Sequence, residues 1–460
     1  MAPAQPHRMV CSGPMSRRDV MRIGALGLGG LSLADLLAAE SASGTRRPDT
    51  SVILFWMWGG PSQLETWDMK PNAPSEYRGP FRPISTTVPG MDICEIFPRQ
   101  AQNAHRFSLV RSLHHEMSAH NDGSIELLTG KTPDRPDPTS TARSLHPDFG
   151  MITSRLRPAP ADGMPQYIGI PTKPFMTDTT YLGLNCNAYV TGDPSVANFR
   201  PPNLSLDLGM DASRLGDRRG LVGQLDRLQR QREIQGMFDG HDRIRDHAFQ
   251  LLTSNSVARA FDLEAETPQT RDKYGRTLWG QSCLLARRLA EAGSAVITID
   301  ALAPKPGMPV YFSWDDHVNP LNGWDLAPGM MLRATDMDPA LSALIEDIYE
   351  RGLDQKIMVV AMGEFGRTPR LSHAGGLTGR DHWPQAQSAL ISGGGLRMGQ
   401  VVGATNSKAE YPTERPYTPQ DLLATIYQHL GIDPRQSLID FSGRPIPILP
   451  GGSPIRELLS

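Results

Sequence analysis

Residues 338–362 read D-P-A-L-S-A-L-I-E-D-I-Y-E-R-G-L-D-Q-K-I-M-V-V-A-M. Leu341, Leu344, Ile345 and Ile348 recur at helical spacing and mark one apolar face. Asp338 is a good N-cap, Pro339 suits the first helical position, and Gly352 stops the helix. Lys356 to Met362 then form a continuous apolar run, as a strand covered on both faces requires. The same alternation recurs nearby. Leu278 to Ala292 is helical, and Cys283 falls on its apolar face; Ala295 to Asp300 is a strand. Ser388 to Ser392 is a short strand ending in the turn Gly393-Gly394-Gly395. Thr418-Pro419 opens a helix carrying Leu422, Leu423, Ile426 and Leu430, which Gly431 closes. This order predicts an α/β fold with a mostly parallel central sheet and helices on both faces.

Toward the N-terminus the pattern is sparser. S-V-I-L-F-W-M-W (Ser51 to Trp58) reads as a buried strand meeting a turn at Gly59-Gly60-Pro61. Ser108 to Arg111 is a second short strand, followed by a loop holding His114, His115 and His120. Pro133 to Pro160 is loop-rich. Asp211 to Ala265 is charged, with Leu221, Val222, Leu225 and Leu228 at helical spacing. The expectation is one α/β domain over residues 46–460, with a helical insertion or cap over about 205–275. The charge run Arg218 to Arg232 reads as a solvated helix face.

The composition excludes several classes. Charged residues make up 21% of the 460 and the net charge is −3, so no basic patch points to nucleic acid. Ser16-Arg17-Arg18-Asp19-Val20-Met21 resembles a twin-arginine export motif, with Val20 where an aromatic is usual. The Gly- and Leu-rich stretch Ile23 to Leu37 follows, then small residues from Ala38 to Ser43. Residues 1–45 are therefore set aside as a signal region read by the twin-arginine machinery, and the mature chain is expected in the periplasm or otherwise exported. No later stretch is apolar enough to span a membrane. Cys94, Cys186 and Cys283 have no metal or redox spacing.

The chemistry gathers in W-D-D-H (Trp314 to His317), G-E-F-G-R-T-P-R (Gly363 to Arg370) and G-R-D-H-W-P (Gly379 to Pro384). These segments supply Asp315, Asp316, His317, Glu364, Asp381 and His382 as candidate metal ligands, because imidazole with carboxylate is a divalent-cation ligand set. Strand-end loops of a parallel sheet are where ligands gather. The plainer reading of a D-H pair is a helix cap or a surface ion pair. Arg367 either holds an oxyanion or pairs with Glu364 or a neighbouring carboxylate.

With G-G-P-S-Q-L-E-T-W-D-M-K-P (Gly59 to Pro71) and E-Y-R-G-P-F (Glu76 to Phe81), these segments resemble the exported bacterial family called domain of unknown function 1501. That family is similar to the alkaline phosphatase and sulfatase superfamily, which hydrolyses phosphate and sulfate esters with bound metal. His120 to Lys131 is similar to the sulfatase signature, with L-L-T-G (Leu127 to Gly130) intact and His120 at the nucleophile position. Three roles stay open for His120: nucleophile, metal ligand or general acid/base, and structural histidine. His114 and His115 align with no role. The superfamily's metal-binding Asp-His becomes Glu364-Phe365, and Phe365 cannot ligate. The resemblance implies one metal position built from Asp315 or Asp316, His317 and His382, with Glu364 beside it. Gln63, Glu65 and Asp68 are the residues available to rebuild a second.

The resulting expectation is a metal-dependent ester hydrolase of the cell envelope holding one divalent ion; zinc, manganese and calcium are not distinguished. It would act on a small-molecule or carbohydrate ester through a water activated by the metal, with His120 and Arg367 as catalytic residues. The rival is a non-catalytic metal-containing binding protein that keeps the fold.

Overall fold

The computed structural model describes residues 49–459, apart from 159, 161, 203–253, 302, 305–310 and 319–324. The twin-arginine segment, the charge run Arg218 to Arg232 and most of the expected helical insertion lie outside the described residues.

Eight strands form the main sheet: β1 (Ser51–Trp56), β2 (Phe107–Leu113), β3 (Tyr167–Ile170), β4 (Tyr189–Val190), β5 (Val296–Asp300), β6 (Ile357–Met362), β7 (Gln387–Gly393) and β8 (Val401–Val402). Their order is β8-β2-β7-β6-β1-β5-β3-β4. β1 runs parallel to both β6 and β5, so Trp56 is level with Met362 on one side and Asp300 on the other.

Period-two alternation assigns the strand residues to two cores. Ile53, Phe55, Val359 and Ala361 pack in one, under α4 (Leu278–Glu291) and α5 (Leu326–Glu350). Val52, Leu54, Met358 and Val360 pack in the other, with α2 (His120–Thr129), α3 (Phe149–Leu156) and α6 (Pro419–His429). Both faces are covered, which is why β1 and β6 read as unbroken apolar runs.

β7 departs from the parallel pattern: it is antiparallel to β6 and to β2. A parallel return requires a crossover, usually helical. The chain between β6 and β7 instead makes two small ribbons, pairing Gly366–Arg367 with His382–Trp383 and Ser372–Ala374 with Leu377–Gly379. It therefore leaves and re-enters the sheet at the same end, the carboxyl edge of β1 and β6.

Three local expectations are corrected. α5 begins at Leu326, so Pro339 lies inside the helix and Asp338 does not cap it. Asp338 caps another helix: its carboxylate accepts the backbone N–H groups of Arg99 and Gln100 at 2.9 Å each, at the start of α1 (Pro98–Gln102). The loop-rich stretch contains α3, whose N-cap Asp148 accepts from Met151 N at 2.9 Å. His120, expected in a loop, is the first residue of α2. Thr418 opens α6 with a capping box to Asp421, and Gly393, Gly394 and Gly395 all adopt left-handed φ of 69°. Cys94, Cys186 and Cys283 are free and buried. No helix among the described residues is long and apolar enough to cross a membrane.

Candidate metal centre

β1 ends in a turn that only glycine can make. Gly59 has φ 109°, and a Cβ there would lie 2.7 Å from the backbone nitrogen of Trp314. This close approach draws the Trp314–Asp315 backbone against the strand end, where Trp314 N–H donates to Trp58 O at 2.9 Å. Gly59 N–H points to the carboxylate of Glu364, at 2.8 Å from Oε1 and 3.1 Å from Oε2. Glu364 sits just past β6 and is fully buried.

His120, the first residue of α2, stands between two carboxylates. Its Nδ1 is 2.7 Å from Glu364 Oε1, and its Nε2 is 3.3 Å from Asp315 Oδ2. His382, on the ribbon, donates from Nδ1 to Ser118 O at 2.7 Å, so its Nε2 faces Asp315 Oδ1 at 3.6 Å. The two rings meet edge to face with centroids 4.3 Å apart. Trp58 stacks on His120 at 4.9 Å, and Phe365 packs against His382 at 4.5 Å. One ligand atom from each of His120, Asp315 and His382 lies within 4.8 Å of the others.

The other expected site residues go different ways. His317 is near but outside this trio: its Nδ1 bonds Asp315 Oδ1 at 2.7 Å, and its ring centroid is 6.0 Å from that of His382. Asp316 turns into the core, where Arg333 holds both carboxylate oxygens at 2.5 Å and lies over the Trp314 ring. Asp381 is exposed and accepts from Ser372 Oγ at 2.6 Å. Arg367 is fully buried and takes the carboxylate-pairing alternative, with Asp315 at 2.7 Å. Its remaining donors go to the carbonyls of Gly59, Gly60, Trp314 and Arg380. Gln63, Glu65 and Asp68 are engaged elsewhere. Gln63 brackets the backbone of Arg367, Glu65 pairs with Arg380, and Asp68 meets Lys70 and Thr405.

The electrostatics divide the two rings. Burial opposes charge on His120, but Asp315 and Glu364 outweigh it and push its pKa up to about 9. Burial pushes His382 down, and the charges of Arg367 and His120 add to this against the pull of Asp315. Burial raises Asp315, yet the Arg367 charge and hydrogen bonds from His120 and His317 hold it well below the usual carboxylate range.

These residues fit a divalent cation. His382 gives its Nδ1–H to a carbonyl and burial disfavours a second proton, so its Nε2 lone pair faces a carboxylate oxygen, acceptor against acceptor. A cation between them removes that repulsion. The Glu364–His120 bond matches the carboxylate–histidine arrangement that orients metal-binding imidazoles. Without a cation, protonated His120 serves as counter-ion between Asp315 and Glu364.

The sequence matches the family described as "Protein of unknown function (DUF1501)" over residues 49–459. The chain belongs to this family. No curated protein matches the DUF1501 chain. Solved structures show distant likeness to it. PsFucS1 sulfatase from Pseudoalteromonas sp. is 10% identical with a TM-score of 0.37, over 91% of this chain and 72% of that one. The phosphonate monoester hydrolase SpPMH from Silicibacter pomeroyi is 13% identical with a TM-score of 0.35, over 89% and 75%. The lipoteichoic acid synthase LtaP from Listeria monocytogenes is 11% identical with a TM-score of 0.34, over 88% and 76%.

Among residues whose part sequence reading missed, Trp58 and Ser118 stand out. Ser118 contributes a backbone carbonyl, which side-chain chemistry cannot reveal. Trp58 lay at the end of an apolar run that the buried strand β1 alone explains.

Proposed function

We propose that this DUF1501 protein is an exported, divalent-cation-dependent hydrolase of sulfate or phosphate esters, small-molecule or carbohydrate. The observation that carries this reading is the convergence of His120 Nε2, His382 Nε2 and an Asp315 oxygen at the carboxyl edge of the sheet. A bound cation would polarise the ester oxygen and activate a water. The chain's residues would hold it: His120 oriented by Glu364, His382 oriented by Ser118 O, and Asp315 braced by Arg367. Both His120 nitrogens face carboxylates, so neither is free to attack as a nucleophile. That favours direct attack by water over a covalent intermediate.

One observation favours the second reading, binding without turnover. The donors of Arg367 are directed to protein acceptors, which leaves this guanidinium unsuited to hold a sulfuryl or phosphoryl group. Elemental analysis of the purified exported protein, with turnover of aryl sulfate and aryl phosphate, separates the cases. About one ion per chain with turnover supports the hydrolase. An ion without turnover supports the binding protein, and no ion rejects both. Replacing Arg17 and Arg18 by Lys tests the export route: unprocessed protein should stay in the cell, and normal export would count against it.

A further inference from the structure

His115, which aligned with no role, lies where three site segments cross. It is buried, and its ring is held from both sides. Nε2 is 2.7 Å from the backbone carbonyl of Glu364. A carbonyl can only accept, so Nε2 carries the proton. Nδ1 accepts from Met117 N–H at 3.2 Å, which fits the same neutral tautomer. The backbone N–H of His115 donates to Pro384 O at 2.9 Å, two residues beyond His382. Glu126 Oε2, from α2, lies 3.6 Å from Nδ1, beyond hydrogen-bond range.

Each contact leads to one candidate ligand. The Glu364 carbonyl belongs to the residue whose carboxylate orients His120. Met117 precedes Ser118, whose carbonyl orients His382. Pro384 closes the segment that carries His382. We infer that His115 is a positioning residue of the metal centre, one imidazole fixing the outer acceptors of both candidate histidine ligands. This inference rests on the metal-site reading above. It goes beyond it by assigning ligand geometry to a residue whose ring hydrogen-bonds to the Glu364 and Met117 backbone rather than to a ligand side chain.

The substitutions that separate positioning from general support are amides of two lengths. The Gln amide N–H can reach the Glu364 carbonyl that Nε2 reaches. The Asn amide is too short to reach it, though its oxygen can still accept from Met117. Zn(II) affinity of the full exported protein is measured by chelator competition, with melting of the metal-free proteins recorded alongside. H115A and H115N should each lose about 10- to 100-fold in Zn(II) affinity, the usual effect of removing an outer partner. H115Q should stay within about threefold of wild type, against the same benchmark. If His115→Ala does not fold, the Gln–Asn difference carries the test. Equal Zn(II) affinity in H115Q and H115N, whether near wild type or lost, overturns the role of the Nε2 donor. Wild-type protein that binds no Zn(II) overturns the metal-site reading itself, and this inference with it.

Discussion

Glu364 and His120 are 244 residues apart in sequence, yet Glu364 Oε1 meets His120 Nδ1 at 2.7 Å inside a shell with no exposure at the carboxylate. The same carboxylate takes Gly59 N–H, so one side chain joins the ends of β1 and β6 to the start of α2.

Glu364→Gln keeps an oxygen for these donors but removes the charge that orients and polarises His120. Metal affinity should fall by about 10- to 100-fold with the fold retained. Chelator competition and circular dichroism check this together. An unchanged affinity would remove Glu364 from the site.

Asp315 joins Arg367, His120 and His317, and its removal leaves a buried guanidinium without its carboxylate. Asp315→Ala should abolish metal binding and cost about 3 kcal/mol of stability, the scale of breaking a buried ion pair. Urea denaturation of the metal-free protein reads the second effect. A loss well under 1 kcal/mol would show the pair to be solvent-screened instead.

The raised His120 pKa gives a direction with pH. Stability gained from its protonation is complete below about pH 6.5, the unfolded value, and is lost as pH rises through about 9. Metal-free protein should therefore weaken across that window, and His120→Gln should flatten the slope. A cation must displace the same proton, so metal affinity should climb toward about pH 9 rather than level off above 6. Titration calorimetry in buffers of different ionisation enthalpy would detect the released proton; none released contradicts the assignment.

Asp338→Ala strips the cap from two backbone N–H groups of α1. A loss of about 2 kcal/mol is expected, at the upper end for a helix cap, with metal content unchanged. A change in metal content would mean that the sheet edge responds to packing at α1.

The α/β class was legible because buried strands are unbroken apolar runs and their helices are periodic. β1, β6, α4 and α6 were placed from these signals to within two or three residues. The start of α5 was not, because Asp338 makes the same bonds to a neighbouring helix that it would make to its own. A cap preference reports two free N–H groups nearby without saying whose they are.

At the site, sequence chemistry supplied the residue types and the segments that carry them. Only the tertiary structure sorted adjacent residues with identical chemistry. Asp315 faces His120 and His382, whereas Asp316 turns to Arg333; the backbone direction past Gly59 sets which of the two points out of the core. Likewise His120 joins the trio while His317 stands beside it. What the sequence determined alone was periodicity and donor inventory, which are local. Which donors converge was decided by long-range register, through backbone contacts at Gly59, Ser118 and Glu364 that leave no mark on side-chain identity.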